Sequence, residues 1–412
     1  MDFDDTPEEA RLRAEARAWL DANAVPKGSP EDFSAGHFSG DVDPGEYIKR
    51  CRWWQGQLYE GGWAGIRWPK AAGGRGGKPI EEAVFQEEHA KWGVSVGAFA
   101  VAHGMVAPTL MEHGTAEQQA RYLAPMLRGE EVWCQLFSEP EAGSDLASLR
   151  TRAVRDGDEF VVNGQKVWTS NAQYSEWAIL IARTDPDAQR NAGITYFVLD
   201  MASPGIEVRP LRQMNGEAHF NEVFLNDVRV PAANVIGEVG GGWKVTVTTL
   251  TNERVAIAGG TGMSDPDRLL AAARALGATD DAVFRQRFVT AWSRNEIIRY
   301  LRLRSRTALS QGRRPGPEAS VMKLAYSRYV KHLGALAIDV QGAYGTLEHP
   351  DAQFDGVFQQ KLINAVQSSI GGGTDEIQKN IVGERVLGLP REPREVCRMA
   401  AMETTSTLTK SQ

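Results

Sequence analysis

The sequence QLFSEPEAGSD at residues 135–145 marks the point where the chain changes its pattern. Before it, apolar residues recur at the three- and four-residue spacing of helices. After it, short apolar runs are bounded by turn dipeptides, as in strands. A Gly-Ser pair in a turn exposes backbone N–H groups and a hydroxyl, which suit a pyrophosphate or a similar anion. From these residues alone, a capped turn without a ligand is the simpler interpretation.

Two changes of pattern divide the chain into three predicted domains with an α+β fold. Residues 1–133 have helical spacing, residues 134–241 have strand and hairpin patterns, and residues 242–412 return to helical spacing. We therefore expect a compact all-β domain between two helical domains. The dipeptides Asp156-Gly157 and Asn163-Gly164 are predicted as turns on either side of a strand.

Composition excludes several classes of protein. The 412 residues include 46 Lys and Arg against 53 Asp and Glu, so the formal net charge is −7 and a nucleic-acid partner is not expected. Three cysteines without metal-ligand spacing argue against disulfides and zinc, and they favour a reducing cytoplasm. The acidic N-terminus carries no recognisable targeting signal. The uncharged residues 93–111 include too many small and polar side chains for a membrane span and predict a core helix.

A second motif is NGQKVWTSNA at residues 163–172. Its Trp168 is followed at once by Thr169 and Ser170, which together offer a flat face and hydroxyl donors to a planar heterocycle. A tryptophan packed in the core of the β domain is an equally good interpretation of these residues.

The third motif, LTNERVAI at residues 250–257, contains a candidate catalytic carboxylate. Glu253 lies three residues after Leu250 and four before Ile257, so on a helix it is aligned with apolar neighbours. A carboxylate in such a row costs free energy unless it is paired or functional, for example as a general base. A salt bridge with Arg254 or with a neighbouring helix is the alternative.

The fourth motif is SSIGGGTDEIQ at residues 368–378. Its three glycines permit a ligand to approach the backbone closely, and Thr374 can cap the helix that follows. A helix–helix turn is the simpler interpretation of this motif taken singly. The G-x-G-x-x-G fingerprint is absent from the whole sequence, which disfavours a Rossmann NAD enzyme.

Taken together and in this order, the four motifs resemble the acyl-CoA dehydrogenase flavoprotein family over essentially the whole chain. The sequence HGTAEQ at residues 113–118 is also similar to the family's turn before the helix that leads into the β domain. The resemblance implies an N-terminal helical domain, a middle β-barrel or sandwich and a C-terminal four-helix bundle. It also implies non-covalent FAD, a homotetramer, an acyl-CoA substrate and an electron-transfer flavoprotein as the electron acceptor.

The resemblance assigns roles to individual residues by position. The residues expected to contact FAD are Gln135, Phe137, Ser138, Gly143, Ser144, Trp168, Thr169, Ser170, Thr374 and Glu376, with Arg285, Gln286 and Gly342 expected near the FAD of a neighbouring subunit. The residues expected to contact the substrate are Ser144, Asn252, Arg254, Gly372 and Gly373. The Ser170 hydroxyl matches the family's hydrogen-bond donor near the flavin N5 edge.

The catalytic base is where this chain departs from many members of the family. They carry a glutamate two residues before the threonine of the fourth motif, where this chain has Gly372. A smaller group, which includes isovaleryl- and long-chain-type enzymes, uses a glutamate on the helix that here contains Glu253. The resemblance therefore implies that Glu253 removes the α-proton of an acyl thioester while a hydride passes to flavin N5, which forms a 2,3-double bond. The alternatives are a catalytically silent subunit of a heteromeric dehydrogenase and an acyl-CoA oxidase-like relative.

Overall fold

The computed structural model describes residues 5–34, 43–259, 266–311, 316, 319–348 and 350–391, with the backbone alone at 254–259, 306, 309 and 310. The side chain of Arg254, the third cysteine Cys397 and the last ten residues, which the sequence predicts as a loose polar tail, lie outside the described residues. The described chain is helical at both ends and has one sheet between them, so the predicted α+β order is confirmed.

The described residues of the N-terminal region form five α-helices. They are α1 Pro7–Asn23, α2 Pro44–Glu60, α3 Pro79–His89, α4 Ala107–His113 and α5 Ala116–Arg128. Capping boxes begin α1 and α5: the hydroxyls of Thr6 and Thr115 accept hydrogen bonds from the backbone N–H groups of Glu9 and Gln118, both at 3.2 Å. Such a cap satisfies backbone donors that the first turn of a helix leaves without a partner.

Residues 93–111, predicted as a core helix, become helical at Gly97. A 3-10 turn, Gly97–Phe99, and a π-helical turn, Ala102–Val106, lead into α4. Ala102, Val106 and Leu110 are almost completely buried in the N-terminal core. In the described part of the chain, no helix has the length and apolar character needed to cross a membrane.

The middle region is one mixed sheet of seven strands. They are β1 Trp133–Leu136, β2 Arg152–Asp156, β3 Glu159–Ser170, β4 Trp177–Arg183, β5 Ile194–Asp200, β6 Ile206–Leu211 and β7 Phe220–Pro231. β4 pairs with β1 in parallel and with β5 in antiparallel orientation. The long antiparallel pair of β3 and β7 carries β2 next to β3 and β6 next to β7.

One of the two predicted turn dipeptides is a turn and the other is not. Asp156-Gly157 closes the β2–β3 hairpin, with Gly157 at φ +62°. The prediction for Asn163-Gly164 is wrong, because β3 runs through both residues and its register against β7 shifts there. A Cβ at position 164 would lie 2.4 Å from Thr151 Oγ1, and Asn163 Nδ2 donates to Asp227 Oδ1 across the sheet at 2.9 Å. The dipeptide therefore marks a β-bulge within a long strand.

Helices return after the sheet. They are α6 Gly242–Gly259, α7 Pro266–Ala275, α8 Ala282–Ser310, α9 Ala319–Gln341, α10 Val357–Ala365 and α11 Asp375–Ile381. α9 is the central helix of this region, since it packs against α6, α8, α10 and α11.

The described residues form three apolar cores, and the first of them joins different regions of the chain. The first joins the N-terminal helices to one face of the sheet, through Ile179 of β4 and Tyr196 of β5, and it includes Val245 of α6. The second lies on the opposite face of the sheet, around Leu180 and Phe197. The third lies between α7, α8, α9 and α10. Because α6 begins inside the first core and packs against α9, all three regions meet along α6.

Candidate functional site

The loop that follows β1 has a buried beginning and an exposed end. Phe137 is buried, and its ring meets the ring of Tyr196 edge-to-face with centroids 5.8 Å apart. Gln135 and Ser138 are half-buried. Reciprocal backbone hydrogen bonds between Glu139 and Ala142 then form a tight turn, after which residues 143–145 are exposed. Gly143 and Ser144 are therefore accessible to a ligand on a loop that is fixed at its base.

Trp168 lies on a bulge at the end of β3 and points its indole out of the sheet. The register between β3 and β7 shifts between Lys166 and Thr169, and Trp168 adopts φ +62°. Its side chain is 61% exposed and meets Phe220 edge-to-face at 6.0 Å. Thr169 is buried and Ser170 is half-buried. The alternative in which Trp168 packs into the core of the β domain is therefore wrong.

A buried ion pair joins the β1 loop to the Trp168 bulge. Lys166 Nζ lies 2.8 Å from Glu139 Oε1 and donates to the backbone carbonyl of Phe137 at 3.0 Å. The backbone N–H of Val167 donates to the carbonyl of Ser138 at 2.9 Å. The structure thus brings together the first and second sequence motifs through residues that are 27 and 29 positions apart in the chain.

Glu253 lies on the face of α6 that packs into the protein. Val245 and Thr249 of this face are buried, and Glu253 follows Thr249 by four residues, one helical turn. Thr249 Oγ1 lies 2.9 Å from Thr109 Oγ1 of α4 and 3.1 Å from the hydroxyl of Tyr196 in β5. Burial raises the pKa of Tyr196, so this hydroxyl stays neutral. Glu253 itself is half-buried.

Asn252, predicted to contact the substrate, and His113, for which no contact was predicted, lie near this point. Asn252 Nδ2 donates to the carbonyl of Thr248 in the preceding turn at 2.9 Å, so the amide group is partly engaged within α6. The ring of His113, at the end of α4, lies 2.9 Å from the Thr248 hydroxyl through its Nε2 atom. The His113–Thr248 bond connects α6 to the end of α4 in the turn before Glu253.

The glycine loop before α11 has two residues in left-handed conformation. Gly372 has φ +66° and Gly373 has φ +87°, which side chains other than glycine adopt rarely. The buried Gln378 donates through Nε2 to the carbonyl of Gly372 at 2.8 Å, and this bond fixes the peptide between Gly372 and Gly373. Thr374 caps α11 as predicted, since its hydroxyl accepts from the N–H of Ile377 at 3.2 Å.

A second buried carboxylate anchors α11 on α9. Asp375 accepts hydrogen bonds from Ser327 Oγ at 2.8 Å and from Lys323 Nζ at 3.2 Å, and Lys331 Nζ lies 3.8 Å away. Burial alone would raise the pKa of Asp375, but these hydrogen bonds and charges outweigh it and hold the pKa below its usual value. Glu376, in contrast, is 74% exposed and pairs with Lys379 at the surface.

The residues predicted to contact a neighbouring subunit's FAD lie on the surface. Arg285 and Gln286 of α8 are exposed, and Arg285 donates to the carbonyls of Thr279 and Asp280 of its own chain at 2.9 and 2.8 Å. Gly342, just after α9, is exposed with φ +56°. Their role toward the FAD of a neighbouring subunit stays a prediction.

Neither a metal centre nor the cavity of the C-terminal region explains the site. Among the described residues, no group of three His, Cys, Asp or Glu side chains could hold a metal ion, and Cys51 and Cys134 are free and buried. A cavity between α7, α9 and α10 is lined chiefly by apolar side chains, including those of Leu269, Leu333 and Phe358. Ser368, at the start of the fourth motif, lines it, but none of the residues predicted to contact FAD or the substrate does.

Sequence reasoning missed the residues that support the site. Lys166 shares the two-residue alternation of Phe160 and Val162, which are buried, so it was predictable as an inward-facing cation that requires an anion. Glu139 lies within the first motif, but no local pattern identifies it as that anion. Gln378 and the Thr249 cluster give no comparable indication, because polar residues on helices are usually exposed.

Three domains of one known protein family match almost the whole described chain. Residues 6–130, 134–228 and 240–387 match the N-terminal, middle and C-terminal domains of acyl-CoA dehydrogenases, respectively.

Curated relatives carry the same family name. The chain is 38% identical to acyl-CoA dehydrogenase IpdE1 of Mycolicibacterium smegmatis over 92% of this chain and 98% of that protein. It is 42% identical to acyl-CoA dehydrogenase FadE34 of Mycobacterium tuberculosis over 79% of this chain, which spans 44% of that longer protein.

Solved structures agree with the sequence comparison. The Tcur3481-Tcur3483 steroid ACAD matches 95% of this chain and 100% of the solved chain with a TM-score of 0.81 and 31% identity. The ChsE4-ChsE5 complex from Mycobacterium tuberculosis also matches 95% of this chain and 100% of the solved chain, with a TM-score of 0.77 and 30% identity. The expected order of a helical, a sheet and a helical domain is thereby confirmed. The chain belongs to the acyl-CoA dehydrogenase family of FAD-dependent oxidoreductases.

Proposed function

We propose that this protein introduces a 2,3-double bond into an acyl-CoA thioester, with Glu253 as the base and FAD as the oxidant. The observation that carries the proposal is the position of Glu253, half-buried on α6 where the three regions of the chain meet. One turn before it, Thr249 contacts Tyr196, whose ring contacts Phe137 of the first motif. This chain of contacts connects the proposed base to the proposed cofactor segments.

The residues around the Trp168 bulge fit a flavin. The exposed indole offers a flat face to a planar heterocycle, and the strained backbone at φ +62° is a feature that often accompanies ligand sites. Thr169 Oγ1 is buried without a hydrogen-bond partner among the described residues, so a donor or acceptor remains for a ligand group. The exposed Gly143 and Ser144 supply the N–H groups and hydroxyl that a pyrophosphate requires.

FAD, when bound, supplies the oxidising power by accepting the hydride that leaves the β-carbon. Glu253 would remove the α-proton, and the electron pair of that C–H bond would form the new double bond. The α-proton is weakly acidic, so the thioester carbonyl must be polarised as enolate charge develops. We assign this role to the N–H of Gly372, whose own carbonyl, in the next peptide of the loop, accepts a hydrogen bond from Gln378. Ser170 would donate a hydrogen bond to the edge of the flavin.

We propose that the acyl group is bulky, because Gly372 leaves free the space that a glutamate side chain occupies in many members of the family. The similarity to a steroid ACAD supports a polycyclic acyl group. An electron-transfer flavoprotein is the proposed electron acceptor, and the cytoplasm is the proposed compartment.

The test is anaerobic mixing of purified wild type and Glu253→Gln with straight-chain, branched and polycyclic acyl-CoAs, followed through the flavin absorbance. General-base catalysis contributes a factor of about 10²–10⁴ to the rate. The rate of flavin reduction in the variant should therefore be at least a hundredfold lower than in wild type. The matched control is Glu238→Gln, which changes an exposed carboxylate shortly before α6. It should react like wild type.

Each other outcome has a defined meaning. Undiminished flavin reduction in Glu253→Gln would remove Glu253 as the base and direct attention to Glu376. A wild type that binds no flavin would favour a catalytically silent subunit. Rapid oxygen consumption during turnover would indicate an oxidase.

We propose further that the protein works as a tetramer, formed with identical chains or with a second, related chain. The exposed face of α8 supports assembly, since Val289, Trp292 and Tyr300 lie there at three- to eight-residue spacing and are each about half exposed. The ChsE4-ChsE5 complex gives a precedent for two different chains. Native mass spectrometry of the protein purified alone should give a tetramer for a homo-oligomer. A monomer or dimer that binds FAD poorly would favour a missing partner chain.

A further inference from the structure

Lys166 is a buried cation that the proposed chemistry does not use. Its side chain is completely buried, and it has two acceptors, Glu139 Oε1 at 2.8 Å and the carbonyl of Phe137 at 3.0 Å. Both acceptors belong to the loop that follows β1. Lysine is almost never fully buried unless it is paired, because an unpaired ammonium in the interior costs several kcal/mol.

Glu139 collects hydrogen bonds from three directions. Besides Lys166, the backbone N–H of Arg150 donates to it at 2.6 Å and that of Thr151 at 2.9 Å. These donors lie just before β2, whereas Lys166 lies in β3. The carboxylate therefore ties both ends of the 139–151 loop to the sheet, and the exposed Gly143 and Ser144 lie within this loop.

The ion pair also lies directly beneath the Trp168 bulge. The register shift of β3 begins after Lys166, and the next residue, Val167, donates its N–H to the carbonyl of Ser138. Lys166 therefore fixes the last regular position of β3 before the backbone turns Trp168 outward. The two segments that this pair connects are the two that the proposed function assigns to the flavin.

We infer that Lys166 is a positioning residue for FAD, and that its ion pair with Glu139 holds the Ser144 loop and the Trp168 bulge at the separation that the cofactor requires. This inference rests on the proposed function, since it presupposes that FAD binds between these segments. An apolar pair of similar volume could stabilise the fold equally well, but it could not hold the carbonyl of Phe137 or the N–H groups before β2.

The charge of Lys166 adds a pH dependence to this role. Burial lowers the pKa of Lys166 to about 8, against the opposing attraction of Glu139. Among the described residues Glu139 is the charged group that faces Lys166, and Phe137 contributes only a neutral carbonyl. As pH rises through about 8, the ammonium loses its charge and its attraction to Glu139, so the affinity for FAD should fall.

The experiment compares FAD binding and unfolding in four proteins. They are wild type, Lys166→Met, the double variant Lys166→Met/Glu139→Gln, and Lys70→Met, which removes an exposed lysine and serves as the control. Each apoprotein is titrated with FAD at pH 7 and pH 9 by flavin fluorescence, and the visible flavin spectrum of each complex is recorded. Urea unfolding of the apoproteins reports their stability separately.

We expect Lys166→Met to bind FAD at least tenfold more weakly at pH 7, with a shifted flavin spectrum. The double variant should regain much of the lost resistance to urea, because no charge is left unpaired, but not the affinity for FAD. Wild type and Lys70→Met should weaken between pH 7 and pH 9, whereas the double variant should not change.

Three results would overturn the inference. The first is a folded Lys166→Met variant that binds FAD with the affinity and the flavin spectrum of wild type. The second is a double variant that regains the affinity for FAD. The third is a double variant whose affinity for FAD depends on pH as that of wild type does. If Lys166→Met does not fold, Glu139→Gln provides the same test, because it weakens the pair and keeps the lysine. A wild type that binds no FAD would instead refute the proposed function, and this inference with it.

Discussion

Two buried lysine–carboxylate pairs support the proposed cofactor segments, and they differ in how completely the chain encloses them. Lys166 and Glu139 lie within the sheet with side chains 0% and 8% exposed, and they connect two segments of the same region. Lys323 and Asp375 lie between α9 and α11 with side chains 7% and 12% exposed, and the partly exposed Lys331 shares the carboxylate.

The difference shows which part of the candidate site one chain can build alone. The Ser144 loop and the Trp168 bulge are fixed to each other by a sheet and an ion pair. In contrast, α11 packs against α9, and the described residues that follow it include the exposed Leu387 and Leu389. We expect the first part to be formed in the isolated chain and the second to be completed by assembly.

The largest expected effect is a difference in how much unfolding free energy the protein loses when the carboxylate of each pair is removed. Glu139→Ala should lower the free energy of unfolding by about 3–5 kcal/mol, since it leaves a buried ammonium without its anion. Asp375→Ala should lower it by about 1–3 kcal/mol, because the short α11 at the edge of the fold can open locally. Urea unfolding at pH 7 measures both values. Equal losses would contradict the idea that the sheet pair is the more enclosed of the two.

Two tryptophans sharpen the contrast between core and site. Trp133, in β1, is 1% exposed, whereas Trp168 is 61% exposed. Trp133→Ala should cost about 3–5 kcal/mol of stability. Trp168→Ala should change the stability of the apoprotein by about 0.5 kcal/mol or less and weaken FAD binding instead. A large loss of stability in Trp168→Ala would mean that the bulge is structural.

The cap of α11 should have a smaller effect. Thr374→Ala removes the hydroxyl that accepts the N–H of Ile377, at a cost of about 1 kcal/mol. Thr374→Ser keeps the acceptor and serves as the control with near-wild-type stability. Thermal unfolding distinguishes the two variants. If both lose the same stability, the methyl group of the threonine matters more than the cap.

The smallest effect is a dependence on acid. Burial alone would raise the pKa of Glu139. The charge of Lys166 and the hydrogen bonds from Lys166, Thr151 and Arg150 outweigh burial, so the pKa is lower than its usual value. A carboxylate whose pKa is lower in the folded state stabilises the fold above its unfolded value of about 4.3, and this stabilisation is lost as pH falls. The thermal midpoint of wild type should therefore fall more steeply below pH 5 than that of Glu139→Gln. Parallel curves would exclude this contribution.

Local patterns were sufficient to predict the order of helices and strands. The helical spacing of residues 242–412 predicted the region that contains α6, α8 and α9, and Asp156-Gly157 correctly predicted a turn, which closes a hairpin. The turn predicted from Asn163-Gly164 was wrong, because the same dipeptide suits both a turn and a β-bulge. The choice between the two depends on Thr151 and on β7, which lies about 60 residues away in the chain.

The sequence predicted which segments contribute to the candidate site, but it did not predict how these segments are arranged in space. The motifs identified the Ser144 loop, the Trp168 segment, the α6 helix and the glycine loop, and the roles given to their residues remain predictions. Two-residue alternation would have placed Trp168 on the same face as Lys166, in the core. The bulge reverses its direction, and only the pairing of β3 with β7 creates that bulge.

The sequence by itself determined the three-part order and the residue types available for chemistry, because these follow from short-range spacing, and the resemblance of its four motifs indicated the family. Only the tertiary structure decided that Lys166 has Glu139 as its partner, that Trp168 faces outward, and that Glu253 follows the buried Thr249 cluster. Each of these depends on contacts between residues far apart in the chain. No local pattern encodes them, since burial and charge pairing arise only when the regions pack together.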